Sequence, residues 1–221
     1  MELTFNGHAC LTLRDREGRT VVMDPYRTGA LGGRLRHAPV KVSADVVTVS
    51  HYHVDHSHVT PDLSAPGGGL PPVVDHSCSE AGIDFRVRTT YHDRVGGTQM
   101  GLTGMVSFTM DGLRVAHLGD IGCSLTPEDV ACLGAVDVLI WPTGGTYTLG
   151  PEDAQEVLDL LRPRLALPVH YENDRCELGM LPIEALAPQL LVKPNRPGVS
   201  TWSSEDGLPA IPEVRILEPL L

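Results

Sequence analysis

The sequence feature that most constrains this chain is the run HYHVDH at His51–His56, which directly follows the apolar stretch Val46–Val49. The apolar stretch consists of β-branched residues and predicts a buried strand. Four of the ten histidines of the chain fall between positions 51 and 58. Imidazole and carboxylate groups are common ligands of divalent ions, and α/β folds usually place their chemistry just beyond the carboxyl ends of strands. The pattern therefore predicts a metal site and disfavours the alternative of a polar loop that is merely rich in histidine.

The spacing within this run suggests two points of convergence. If the turn after the strand is tight, His51 and His53 can aim at one point. Asp55 and His56 then begin the next turn and aim at a second point nearby.

Three later residues are candidate ligands because each of them follows a predicted strand. His92 lies just beyond an alternating stretch at 83–90, and His170 follows the apolar stretch Leu165–Val169. Asp120 stands between two glycines where another predicted strand ends, a position from which its carboxylate could bridge two ions. We therefore expect all of these side chains to gather along one edge of the sheets.

The remaining pattern predicts mostly strands at first and helices later. Strands are expected over 3–13 and 20–24, at 136–141, on both sides of the hairpin signal Asp111-Gly112, and near 199–203 and 213–217. Helices are expected at Pro127–Leu133, with Thr126 as the N-cap, at Pro151–Leu161, and over 181–191.

Three polar residues have more than one interpretation. Asp24 either supports a metal ligand or simply forms a turn before Pro25, and the turn is favoured. His8 is interpreted as a core or surface histidine, with a minor alternative role as an oxyanion donor that Tyr171 could share. His117 is interpreted as structural.

Length and composition limit the classes of function. A chain of 221 residues suits one core, and no linker or repeat divides it, so we expect a single domain over 1–221. The net charge of −11 argues against a nucleic-acid surface and leaves a small-molecule substrate as the expected partner. Five scattered cysteines without a CxxC pair, and the lack of a signal-like or membrane-spanning stretch, favour a cytoplasmic protein without membrane contact. A homo-oligomer is possible.

These residues resemble the metallo-β-lactamase superfamily over nearly the whole chain. Within it, the sequence is similar to a branch of small metal-dependent hydrolases related to L-ascorbate-6-phosphate lactonase. The resemblance rests on the HxHxDH run, on His92, Asp120 and His170 in that order, and on short flanking sequences: GHA at 7–9, DP at 24–25, YH at 91–92, LGD at 118–120, PTGG at 142–145 and PVHY at 168–171.

The resemblance implies an α/β (α+β) fold, a four-layer αβ/βα sandwich with a dinuclear metal site between two sheets. His51, His53 and His92 would hold one ion, Asp55, His56 and His170 would hold the other, and Asp120 would bridge them. The ions would be zinc, with manganese or iron as alternatives that the same nitrogen and oxygen ligands accept.

The implied activity is hydrolysis of an ester, lactone or phosphodiester by a bridging hydroxide, with Asp55 and His170 as catalytic residues. Asp55 would orient the nucleophile or move its proton. A diiron oxidoreductase is the main alternative, which His53 disfavours because flavodiiron relatives carry glutamate at that position. A non-catalytic metal-binding protein of the same fold is the other alternative, which the complete ligand set disfavours.

Overall fold

The computed structural model describes residues 1–220, which form two mixed β-sheets. The strands of the first sheet are β1 (Glu2–Gly7), β2 (Cys10–Arg14), β3 (Thr20–Met23), β4 (Val46–Thr48), β5 (Val73–Val74) and β12 (Thr201–Ser203). The strands of the second sheet are β6 (Cys78–Glu80), β7 (Ile83–Tyr91), β8 (Leu102–Met110), β9 (Leu113–His117), β10 (Val138–Pro142), β11 (Leu165–Val169) and β13 (Glu213–Val214). The strand orders are β12-β1-β2-β3-β4-β5 and β13-β11-β10-β9-β8-β7-β6.

Helices contribute little to the described chain. Helix α1 (Pro127–Leu133) begins with a capping box between Thr126 and Asp129, and α2 (Ala154–Leu161) follows the 3₁₀ turn Pro151–Asp153. None of the helices within residues 1–220 has the length and apolarity that crossing a bilayer requires. The remaining short turns are 3₁₀ turns at Pro61–Leu63, Ile183–Ala185, Ala187–Gln189 and Ser204–Asp206, and a left-handed turn at Ala30–Gly33.

The strands of the first sheet divide their side chains between two apolar clusters, because successive residues of a strand point to opposite faces. In β3, Val21 and Met23 pack in the larger cluster between the two sheets, whereas Val22 packs in a smaller cluster on the other face. In β4, Val46 and Val47 are divided in the same way. The smaller cluster is covered by residues of the segments 26–45, 49–63 and 176–180, which are mostly loop, so loop rather than helix forms this outer layer. The expected α/β sandwich is confirmed.

The pairing directions bring several strand ends to one edge. In the first sheet β3 and β4 are parallel, and β1 runs the same way because it is antiparallel to β2, which is itself antiparallel to β3. In the second sheet β9, β10 and β11 are parallel to one another, and β7 runs with them because β8 lies antiparallel between β7 and β9. The residues that follow these strands are therefore close enough to form one site.

Two sequence-based predictions of secondary structure were wrong. The stretch 3–13 is two antiparallel strands that turn at His8-Ala9, and Gly7 pairs with Cys10 across that turn. The segment 181–191 is not a helix but two 3₁₀ turns, consistent with the break that Pro188 imposes on a helical hydrogen-bond pattern. The helix at Pro127–Leu133 and the hairpin at Asp111-Gly112 are confirmed, with Met110 paired to Leu113.

Candidate metal centre

All seven ligands predicted from the sequence lie together at this edge of the sheets. They are His51, His53, Asp55, His56, His92, Asp120 and His170, and every one of them belongs to a group whose ligand atoms lie within 4.8 Å of one another. We call His51, His53 and His92 the outer triad, and Asp55, His56 and His170 the inner triad.

The outer triad is oriented by a serine and by backbone. His51 Nε2 lies 2.8 Å from His53 Nδ1, and Ser50 Oγ lies 2.9 Å from His51 Nδ1. His92 Nδ1 donates a hydrogen bond to the carbonyl oxygen of Tyr147 at 3.0 Å. These contacts engage Nδ1 of His51 and His92, so that Nε2 of each ring is left for the centre of the site.

The inner triad is buried more deeply and is held by other side chains. The ring of His56 is fully buried, and its Nδ1 lies 3.0 Å from Asp24 Oδ2. Asp55 Oδ2 lies 3.2 Å from His8 Nε2, and the four ligand atoms of His8, Asp55, His56 and His170 form one of the groups described above. His8 therefore stands beside the three predicted members of this triad.

Asp120 joins the two triads through a single atom. Its Oδ2 lies 3.1 Å from His56 Nε2 and 3.2 Å from His170 Nε2 in the inner triad. The same oxygen lies 3.3 Å from His92 Nε2 and 3.9 Å from His51 Nε2 in the outer triad. A bridging carboxylate requires this placement between two sets of ligands.

This arrangement fits bound cations better than internal hydrogen bonds. A carboxylate oxygen has two lone pairs, so it cannot accept hydrogen bonds from four imidazoles at once. Asp120 Oδ1 and His170 Nδ1 are buried without a hydrogen-bond partner within residues 1–220. His56 Nε2 lies 3.1 Å from Asp120 Oδ2, but the two do not form a hydrogen bond of normal geometry. Each unpaired buried polar group costs about 1–3 kcal/mol. Divalent ions take imidazole nitrogen and carboxylate oxygen as ligands, so the residues present suit them.

The direction of the pKa shift differs among the candidate ligand histidines. Burial, together with the neighbouring His56, lowers the pKa of His51 to about 3, and burial also lowers the pKa of His53. Burial opposes a charge on His56 as well, but the carboxylates of Asp120 and Asp24 outweigh it and raise the pKa of His56. Because ligand imidazoles must be neutral, metal binding would release the proton that His56 holds.

Asp24 supports the inner triad, and the sequence-based preference for a simple turn residue was wrong. Its carboxylate accepts hydrogen bonds from the backbone N–H and the hydroxyl of Ser50 at 2.8 and 2.5 Å, in addition to its contact with His56. The side chain is fully buried. A carboxylate behind a ligating histidine fixes the ring orientation and increases its basicity.

His8 is a residue of the site that the sequence analysis did not include among the ligands. It is the first residue after β1, as Asp24 is after β3 and His170 after β11, and all three have positive φ angles of 56°, 44° and 54°. Strained backbone of this kind clusters at functional sites. The rule that ligands follow strand ends would have found His8 if β1 and β2 had been separated correctly.

The position of the Asp120 side chain depends on the close approach of three chain segments at Gly119. A Cβ atom at Gly119 would lie 2.7 Å from Gly104 O, Ser50 Cβ and Thr103 Oγ1, so no larger residue fits there without a shift. The backbone N–H of Asp120 donates to Thr103 Oγ1 at 3.1 Å. The glycine therefore places the Asp120 carboxylate against the loop that carries His51.

A cavity of about 300 Å³ opens onto the cluster. Its lining includes His53 and His92 of the outer triad, Asp55 and His170 of the inner triad, and Asp120. A larger cavity of about 540 Å³ lies elsewhere and is lined by residues such as Thr4, Thr12 and Lys41, with none of the candidate ligands. Chemistry at the cluster would therefore take place in the smaller cavity.

Comparison with known proteins gives the same family throughout. The family model described as a beta-lactamase superfamily domain matches residues 2–170, which include all seven predicted ligands. A UPF0173 metal-dependent hydrolase from Methanoculleus marisnigri is 27% identical over 193 residues, which cover 78% of this chain and 82% of the relative. A protein of the same description from Carboxydothermus hydrogenoformans is 29% identical over 196 residues, covering 78% and 85% of the two chains.

A solved structure agrees with these sequence matches. It is assigned as a zinc-dependent hydrolase of the metallo-β-lactamase superfamily from Thermotoga maritima, and it shares 30% identity with a TM-score of 0.76 over 98% of each chain. The narrower resemblance to the L-ascorbate-6-phosphate lactonase branch is not tested by these relatives and stays a prediction. The ligand geometry, the family match and the shared fold together show that this chain belongs to the metallo-β-lactamase superfamily.

Proposed function

We propose that this chain cleaves an ester, lactone or phosphodiester bond of a small molecule with a dinuclear metal centre. Metal-dependent hydrolysis is the activity for which the relatives are named, and the chain is an enzyme of that class. Within that class, the chain would bind two ions, each with its own ligands, and would act on one of these three types of bond.

The observation that carries the proposal is the position of Asp120 Oδ2 between two complete triads. His51, His53 and His92 would hold one ion, and Asp55, His56 and His170 would hold the second. Asp120 would contact both, since its oxygen lies within 3.3 Å of an imidazole of each triad. Nitrogen and oxygen donors of this type suit zinc, and manganese or iron would also fit.

When bound, two divalent ions supply a Lewis acid for the oxygen of the scissile group and lower the pKa of a shared water. Asp55 and His170 are the members of the inner triad that line the cavity, so they are the ones that can face a substrate. Asp55 would take the proton from the attacking water and pass it to the leaving group. Its contact with His8, and the neighbouring His56, keep the pKa of Asp55 below its usual value despite burial, so it begins as the anion.

The test combines metal analysis with turnover. Protein purified without added metal is analysed for zinc, manganese and iron, and then assayed with bis(p-nitrophenyl) phosphate and with a simple lactone. We expect close to two ions per chain and hydrolysis of at least one of the two substrates.

Two outcomes would contradict the proposal. A single ion per chain that remains single after zinc or manganese is added would remove the dinuclear assignment. Two iron atoms with visible absorbance, and no hydrolysis of either substrate, would favour the diiron oxidoreductase instead.

A further inference from the structure

One cationic side chain stands beside the candidate metal centre. Arg34 lines the 300 Å³ cavity, and it is the only arginine or lysine among the residues that do so. This position is notable in a chain with a net charge of −11. An arginine that faces a ligand cavity presents several N–H donors in a planar fork that matches a carboxylate or phosphate.

The guanidinium of Arg34 is not used to hold the fold through an ion pair. No carboxylate within residues 1–220 lies within 4.0 Å of it, and its Nε–H donates to the carbonyl oxygen of Leu31 at 2.9 Å. The nearby acid Glu177 pairs with Arg36 instead. The terminal N–H groups of Arg34 are therefore free for a ligand.

The backbone that carries Arg34 is firmly tied to its neighbours. The backbone N–H of Gly29 donates to Leu35 O at 2.7 Å, and that of Glu177 donates to Arg34 O at 3.0 Å. Leu31, which holds the guanidinium through its carbonyl, has a φ of 54° in the left-handed turn. For a leucine this conformation is strained, and such strain persists only where the surrounding structure enforces it.

The rest of the cavity wall is largely apolar. Apart from Arg34 and the candidate ligands, the cavity is lined by Leu31, Val54, Met100, Tyr147 and Leu178. Tyr147 is itself anchored, because its hydroxyl donates to Leu178 O at 3.2 Å. A small molecule that fills the cavity would place its apolar part against these side chains. Its polar groups would lie at the two charged regions of the cavity, which are Arg34 and the candidate metal centre.

We propose that Arg34 binds an anionic group, a carboxylate or a phosphate, of a small substrate whose apolar body lies against Leu31, Val54 and Tyr147. The bond to be cleaved then lies at Asp120 and Asp55, away from the anionic group. The cavity volume is at the lower end of the range for small-molecule sites, so the substrate is small. This inference rests on the proposed function for the reaction, but the binding of the anion does not depend on turnover.

The first experiment measures anion binding without catalysis. The Nε–H resonance of Arg34 is assigned in ¹⁵N-labelled, metal-free protein by its loss in Arg34→Gln, and glutarate, methylphosphonate and neutral glutaramide are then titrated in turn. We expect the resonance to shift with at least one anion and not with glutaramide. A larger shift with methylphosphonate than with glutarate identifies phosphate as the group, and the reverse identifies carboxylate. No shift with either anion overturns the proposal.

The second experiment compares two esters in the metal-loaded protein, 4-nitrophenyl butyrate and mono(4-nitrophenyl) glutarate. Arg34→Gln should lower kcat/KM for the charged ester by roughly 10- to 100-fold, the scale of a hydrogen bond to a charged group, and leave the neutral ester within about twofold. Arg27→Gln removes the same charge from the same loop but lies outside this cavity, so it should change neither ester. Equal losses for both esters in Arg34→Gln would overturn the proposal. If neither ester is hydrolysed by the parent protein, the reaction assigned to these esters fails, whereas the titration still decides the role of Arg34.

Discussion

The outer triad consists of three histidines and the inner triad of two histidines and an aspartate, and the two are held in different ways. His53 of the outer triad is exposed, and the one hydrogen-bond contact of its ring is with His51. His56 of the inner triad has no exposed surface and lies against Asp24. One triad is thus partly a feature of the surface, whereas the other is part of the core.

Because of this difference, we expect substitutions in the two triads to have different effects on the stability of the fold. A ligand that is also part of the core stabilises the fold as well as binding an ion, because its removal leaves buried partners unpaired. A ligand at the surface binds an ion with little influence on the fold. Substitutions in the two triads separate these two roles, and the residue that both triads share should give the largest effect.

The largest effect is expected for Asp120→Ala. This change removes the oxygen that contacts four imidazoles, so both ions should be lost. Turnover should fall by roughly 10³-fold or more, which is the scale seen when one member of a cooperating catalytic group is removed. Elemental analysis and the phosphodiester assay measure the two effects. Asp84→Ala, an exposed acid on β7, is the control and should change neither. Unaltered metal content in Asp120→Ala would remove the bridging role.

A pair of histidine substitutions tests the difference in folding directly. In chelator-treated protein, His56→Ala should lower the free energy of unfolding by about 3 kcal/mol, because Asp24 and Asp120 lose a buried partner. His53→Ala should change it by no more than about 0.5 kcal/mol, since its ring is exposed. Urea unfolding followed by circular dichroism gives both values. Equal destabilisation by the two changes would show that the triads are not distinct in the way described.

A smaller effect is expected when a supporting residue is changed and the ligands are kept. Asp24→Asn retains the shape of the side chain but removes the charge behind His56, so metal affinity should fall by about 10- to 100-fold. Competition with a chromogenic chelator measures this affinity. Asp45→Asn is a matched control, because Asp45 also accepts a backbone N–H, from Thr20 at 2.8 Å, but is not in the metal centre. A similar loss in both variants would indicate a general effect of removing a carboxylate that accepts a backbone N–H.

The predicted ligands were recoverable from sequence because they obey a local rule. His51–His56, His92, Asp120 and His170 each follow an apolar or alternating stretch, and the ends of such strands meet at one edge. His8 and Asp24 obey the same rule, but the preferred interpretations were a structural histidine and a turn residue. The sequence of residues 3–13 predicts one continuous strand and does not indicate the turn at His8. The pair Asp24-Pro25 is typical of an ordinary turn.

Other features depend on residues that are far apart in the chain and have no local signature. The contact of His8 with Asp55 spans 47 positions, and the backbone contact of Arg34 with Glu177 spans a still longer stretch. The cavity wall likewise combines Leu31, Met100 and Leu178 from three separate loops. Pairings of this kind are set by how the sheets pack and not by the residues next to them.

The sequence by itself determined the chemistry of this protein, because the identity and spacing of its histidines and aspartates leave few uses other than metal binding. It also determined the two-sided strands, since a continuous run of β-branched residues such as Val46–Val49 places apolar side chains on both faces of a strand. Only the tertiary structure decided that one oxygen of Asp120 reaches both triads, that Asp24 and His8 stand behind the inner triad, and that Arg34 faces the cavity. These placements depend on contacts between segments that are far apart in the chain, and the packing of the whole core stabilises those contacts.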